Sequence, residues 1–133
     1  MDLKIKTTYS DFNKETGVST TVILTDLGHF LGIARLHPDD KETASRYAGC
    51  RYAEMRATAK YVKAKKKAIQ EEIKLLNRLD SKIKNKKAKI QIKEEKEKLL
   101  LDMQTCTNAI KSLNQTLKAS VEKRDEFIKQ KEN

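Results

Sequence analysis

Two histidines, two cysteines and one acidic pair are the residues of this 133-residue chain whose types could support catalysis or metal binding. Their spacing supports neither. His29 follows a glycine at the start of a strand-like run, and His37 precedes Pro38 in a loop-like one. Asp39 and Asp40 sit behind that proline, where acids suit the first turn of a short helix and its positive dipole end. Cys50 and Cys106 are too few for a disulfide framework. Cys106 falls in a row of apolar residues, where a thiol behaves as a small hydrophobe. No glycine-rich phosphate loop, zinc spacing or nucleophile motif occurs. The sequence therefore predicts no enzyme, no cofactor and no metal.

Charge is the stronger signal. The chain has 29 Lys+Arg against 19 Asp+Glu, a net charge of +10. Residues 1–50 carry 6 basic and 7 acidic side chains, residues 51–93 carry 15 and 4, and residues 94–133 carry 8 and 8. The whole excess lies in the middle, in AKYVKAKKKAI and DSKIKNKKAKIQIK. Lys60, Lys63, Lys65, Lys66, Lys67, Lys82, Lys84, Lys86, Lys87 and Lys89 are the candidate partner- or polyanion-binding residues. Lysines neutralise phosphates without reading bases. The plainer explanation is a solvated helical exterior, because lysine has good helix propensity; the segregation of signs sets polyanion or acidic-protein contact beside it. Aromatics in the basic segment stop at Tyr52 and Tyr61, which argues against a base-stacking platform. Helix-turn-helix spacing is absent.

These lysines must be carried by helix. All four glycines and the single proline lie within the first 49 residues, where β-branched residues also crowd. That region reads as three strands, Lys4–Ser10, Val18–Thr25 and His29–Leu36. Asp11–Gly17 and Asp26-Leu27-Gly28 join them, with Gly17 suited to positive φ. Val18, Thr20, Val22 and Leu24 share a face, and one face of so small a sheet needs a helix to cover it. Ser45 is a possible N-cap for a long helix from Arg46, on which Gly49, Ala53 and Ala57 form a flat stripe for close packing on the sheet.

Heptad rows follow, Met55-Val62-Ile69-Leu76-Ile83-Ile90 and then Ile92-Leu99-Cys106-Leu113, and argue a coiled coil. The weakest helical stretch, Asp80–Lys87, is the expected bend. Folding back there pairs Met55 with Leu113, Val62 with Cys106, Ile69 with Leu99 and Leu76 with Ile92, and brings Phe127 and Ile128 level with the strands. A single uninterrupted helix, dimerising as a rod, is the rival. The expected fold is α+β: a small N-terminal antiparallel β-meander of about three strands, followed by a long antiparallel helical hairpin or coiled coil. Residues 1–44 form the head and 45–133 a hairpin packed back on it, with the bend near 80–88. Ile73, Leu79, Leu100 and Leu101 are left uncovered by a lone hairpin, which predicts a homodimer built as a four-helix bundle.

The stretch from Phe12 to Ala64, with TDLGHFLGIARLHPDD and then SRYAGCRYAEMRATAKYVKAK, resembles small uncharacterised proteins encoded in the early regions of phages and prophages of Gram-positive bacteria. The resemblance covers roughly the first half of the chain. It implies action on phage DNA metabolism or on host defence, and small phage proteins without catalytic residues commonly occlude a larger machine. The expected function is a non-catalytic, anti-defence inhibitor that binds a host protein or nucleoprotein complex handling nucleic acid, through the basic hairpin or the head with its Tyr9, Phe12 and Phe30. The alternative is a sequence-nonspecific DNA-binding accessory of phage replication or recombination, contacting DNA or RNA backbone. No apolar run follows Met1 and none approaches a membrane span, so a cytoplasmic protein of the bacterial host, with no membrane contact, is expected.

Overall fold

A computed structural model describes the backbone of residues 3–35 and 46–132, and the side chains of residues 3–35 and 49–119. Three antiparallel strands, β1 (Ile5–Asn13), β2 (Val18–Thr25) and β3 (Gly28–Arg35), form a sheet in chain order. Two long helices follow, α1 (Arg46–Lys82) and α2 (Lys86–Glu132). This is the expected α+β architecture. His37, Pro38, Asp39, Asp40 and Ser45 lie outside the described residues, as do the side chains of Phe127 and Ile128.

β1 runs three residues beyond the expected Ser10, because Asp11, Phe12 and Asn13 continue the ladder opposite Thr20, Ser19 and Val18. Asn13 ends it: its Oδ1 accepts from the Glu15 and Thr16 amides at 2.9 and 3.3 Å. Its carbonyl accepts from the Gly17 amide at 2.8 Å. Gly17 takes φ 71°, the left-handed conformation that glycine adopts without a Cβ penalty.

The sheet turns toward α1 the opposite face from the one the apolar pattern suggests. Ser19, Thr21, Ile23 and Thr25 of β2 are buried, whereas Val18, Thr20, Val22 and Leu24 are half-buried on the far side. Size decides this. Ala53 and Ala57 of α1 are fully buried against the sheet. A Cβ on Gly32 would lie 1.8 Å from the Ala53 carbonyl oxygen, and one on Gly49 would lie 2.2 Å from Ser19 Oγ. Only glycine, alanine, serine and threonine allow so close an approach. Two of the threonines buried in the sheet are partnered: Thr21 Oγ1 donates to the Cys50 carbonyl at 3.3 Å and Thr25 Oγ1 to the Gly28 carbonyl at 2.8 Å. Ile23 fills the space toward Ala57 and Tyr61, with Phe30 tilted on the Tyr61 ring at a centroid distance of 5.6 Å.

On another side, α1 packs along α2. Val62, Ile69, Leu99 and Cys106 form the buried seam, flanked by Ile73, Leu76, Met103 and Ile110. The chain reverses over Ile83–Asn85, inside the low-propensity stretch, which is incompatible with an uninterrupted rod. Asn85 starts α2 as an N-cap, its Oδ1 accepting from the Lys87 and Ala88 amides at 2.9 and 3.4 Å. α1 is thus the shared element, with the sheet on one side and α2 on another.

Candidate functional site

The lysines that form one run in the sequence separate into different surfaces on the helix, because each residue advances about 100° around the axis. Arg56, Lys60, Lys63, Lys67, Lys74 and Arg78 are spaced by four, three, four, seven and four residues, the spacing of a single helical stripe. All six are exposed, and the stripe is about 33 Å long at 1.5 Å per residue. On α2, Lys86, Lys89, Lys93 and Lys96 repeat at three, four and three. Lys96 Nζ donates to Asn77 Oδ1 of α1 at 3.1 Å, and Asn77 lies on the stripe's side of the α1 seam. That bond brings both stripes to one broad basic face of the hairpin.

The sheet fixes one end of this face. Arg56 Nη1 donates to the Ile33 carbonyl at 2.6 Å and Lys60 Nζ to the Leu31 carbonyl at 2.7 Å. Both carbonyls lie on the open edge of β3, so the two cations shield an edge that could otherwise pair with another strand. Beyond them Lys63 and Lys67 make no ion pair or side-chain hydrogen bond among the described residues. Lys74 reaches Glu71 at 3.4 Å, a solvent-exposed pair that leaves most of its charge available.

Lys65 departs from expectation and does not join this face. Lys65 Nζ lies 2.6 Å from Asp26 Oδ2 on the opposite flank of α1. The buried Tyr61 hydroxyl donates to Asp26 Oδ1 and accepts from the Lys4 amide at 3.1 Å. The hydrogen bonds from Lys65 and Tyr61 hold the Asp26 carboxyl below its ordinary range. Asp26 in turn raises Lys65, and burial pushes the Tyr61 hydroxyl upward. This network fastens the β2–β3 turn to the helix. Lys66 is half-buried between the seam and the stripe, on the same side of α1 as Asn77. Lys82, Lys84 and Lys87 are exposed around the bend.

Arg56, Lys74, Arg78, Lys93 and Lys96 are members of the basic face that a search for lysine runs passes over. Their heptad spacing is the signal that identifies them. Ile73, expected to be uncovered, packs on the hairpin's own seam. Leu79, Leu100 and Leu101 are exposed, but Leu100 and Leu101 are adjacent and so point about 100° apart; the three do not line one seam for a four-helix bundle.

Two open clefts of about 400 Å³ are each lined by one helix only, Cys50–Thr58 residues of α1 and Thr107–Lys118 residues of α2. Cys50 and Cys106 are free thiols, and burial raises the Cys106 thiol above its ordinary value, which works against thiolate chemistry. Among the described residues no three His, Cys, Asp or Glu side chains gather as metal ligands. None of the described helices is long and apolar enough to cross a membrane. Comparison with protein-family models, curated proteins and solved structures finds no match to this chain, and the basic face is read from its own geometry.

Proposed function

We propose that this is a non-catalytic phage protein that binds a host nucleic-acid-handling or defence complex and obstructs it, with the basic face of the hairpin lying against the nucleic-acid backbone of that complex. The observation that carries this reading is the composition of the face. Its α1 stripe presents six cations over six helical turns and no aromatic or large aliphatic anchor. Protein–protein interfaces draw most of their energy from Trp, Tyr and Arg seated in buried pockets, of which this stripe offers only the exposed Arg56 and Arg78, whereas phosphate contact needs only positioned charge. The stripe also has a local cost. Lys60 with Lys63, Lys63 with Lys67, and Lys74 with Arg78 are like-charge neighbours on one helix, each unfavourable by about 0.2–0.5 kcal/mol. Lys86 and Lys87 lie in the first turn of α2, which has no acid, at the end where the helix dipole repels cations. A merely solvated exterior gains nothing from this arrangement.

The same lack of apolar anchors favours a second reading, a sequence-nonspecific DNA-binding accessory that needs no protein partner. Retardation of a duplex of random sequence over a salt series tests both. Six or more phosphate contacts reduce affinity by about 10³-fold or more between 50 and 200 mM salt. Steep salt dependence on naked duplex supports the accessory reading. Capture of a host nucleoprotein complex, lost after nuclease treatment, with only weak binding to naked duplex supports the inhibitor. Retention of the captured complex after nuclease treatment, with no duplex binding, would remove the nucleic-acid contact from the proposal.

A further inference from the structure

The far face of the sheet is a second surface, apolar where the hairpin face is charged. Paired residues across the sheet share a side, so Tyr9, Val22 and Leu31 form one row, Asp11, Thr20 and Ile33 the next, and Asn13, Val18 and Arg35 the last. Tyr9 is 61% exposed, Leu31 40% and Ile33 41%. Tyr9, Leu31 and Ile33 therefore stand outside, while Ser19, Gly32 and Ala34 lie under α1 beside Ile23 and Phe30. No described element covers this face: α1 packs on the inner side of the sheet, and α2 contacts α1.

We infer that this face binds a second copy of the chain, sheet on sheet, about a two-fold axis parallel to β2. The pattern of the face selects that occupant and that axis. A two-fold along the strands lays β1 of one copy over β3 of the other. Tyr9 then meets the partner copy's leucine of the same row, and reciprocally, while the central valines of the two copies face each other. The acid of the face, Asp11, lies on β1, and its fixed cation, Arg35, lies on β3 one row further on. The axis places each carboxylate one row from the other copy's guanidinium across sheets stacked about 10 Å apart, a separation that the long arginine side chain reaches across. A two-fold across the strands would set Tyr9 on Tyr9 and leave Asp11 and Arg35 unpaired. Self-complementarity of this kind is what a closed isologous dimer requires. The β3 edge is occupied by Arg56 and Lys60, so the face, not that edge, is the route by which a second sheet approaches.

The contact is small. Three strands about 4.8 Å apart and eight residues at about 3.3 Å give a face of about 14 by 26 Å, about 370 Å² on each copy and about 750 Å² in total, below the roughly 1,200 Å² of stable interfaces and fitted to a weak, transient dimer.

Sedimentation equilibrium from about 5 to 300 μM tests the inference, with circular dichroism confirming that each variant is folded. Wild type is expected to pass from monomer to dimer over this range. Asp11→Arg and Arg35→Asp should each weaken the dimer by about tenfold or more, since each opposes like charges. The double exchange should restore it, a rescue that general effects of charge cannot produce. Leu31→Glu should give monomer throughout. A wild type that remains monomeric at the highest concentration overturns the inference, and so does a dimer that Leu31→Glu leaves intact. Single exchanges without rescue in the double variant overturn the stated axis.

Discussion

The two flanks of α1 are both basic in sequence and opposite in use. On one, Lys65 is held by Asp26, with Tyr61 and the Lys4 amide completing a closed network. On the other, Lys63 and Lys67 stand exposed in a stripe continued by Lys74 and Arg78. Residues two positions apart in one lysine run thus serve structure and surface respectively. The contrast teaches that a charge excess counted along a chain is not yet a binding site. Helical phase decides which cations face a partner, and the seating of the helix on the sheet decides which are consumed in holding the fold.

That seating is the place where the contrast breaks most severely. Gly32→Val places a branched side chain where even a Cβ would meet the Ala53 carbonyl at 1.8 Å. Overpacking against backbone should cost about 3 kcal/mol or more, and the melting temperature should fall by about 10 °C or more. On the opposite face, Leu31→Ser removes a 40%-exposed side chain and should cost under about 1 kcal/mol in the monomer. Thermal melts of the two variants, each in dilute solution, compare the faces directly.

Neutralising the open flank comes next. Lys63→Gln, Lys67→Gln, Lys74→Gln and Arg78→Gln together preserve helix propensity and remove four charges. The log–log salt slope for duplex binding should become shallower by about 3–4, at about 0.9 per phosphate contact. The melting temperature should hold or rise, because like-charge neighbours are relieved.

The closed flank should respond in the reverse sense. Tyr61→Phe keeps the buried ring but strips Asp26 of a donor and the Lys4 amide of its acceptor. A loss of about 1–2 kcal/mol in chemical denaturation is expected, with duplex binding unchanged. The smallest effect is in pH. The folded-state pKa of Asp26 is depressed, so its contribution is present above the unfolded carboxylate value of about 3.9 and is lost as pH falls through the folded value. Lys65 and Tyr61 are raised, so their contribution is complete below about pH 10 and is lost at higher pH. Asp26→Asn should flatten both limbs of a stability–pH curve while lowering its plateau.

The architecture was legible because its signals are local. No glycine or proline follows Gly49, the heptad rows specify a seam, and the bend falls in Asp80–Lys87, where Asp, Ser and Asn interrupt the helix formers. The choice of sheet face was not, since alternation in β2 marks Val18, Val22 and Leu24 as the apolar side. What overrides it is close approach by a helix of Gly49, Ala53 and Ala57, a steric property of two elements together. The basic face was half legible. Lys60, Lys63 and Lys67 are in it, Lys65 is withdrawn by Asp26 from a turn 39 residues away, and Arg56, Lys74, Arg78, Lys93 and Lys96 enter through a spacing that a contiguous run conceals.

Two single variants put the distinction between flanks to the most direct test. Lys63→Gln and Lys65→Gln each remove one charge from the same three-residue stretch and leave the same net charge. Binding to one duplex is measured for both across a salt series, at a temperature where both are folded. If the open flank is the working surface, the first should make the salt slope shallower by about 0.9 and the second should leave it near wild type. Equal losses in the two variants would contradict the account, and would show that net charge alone, not its placement on α1, governs binding.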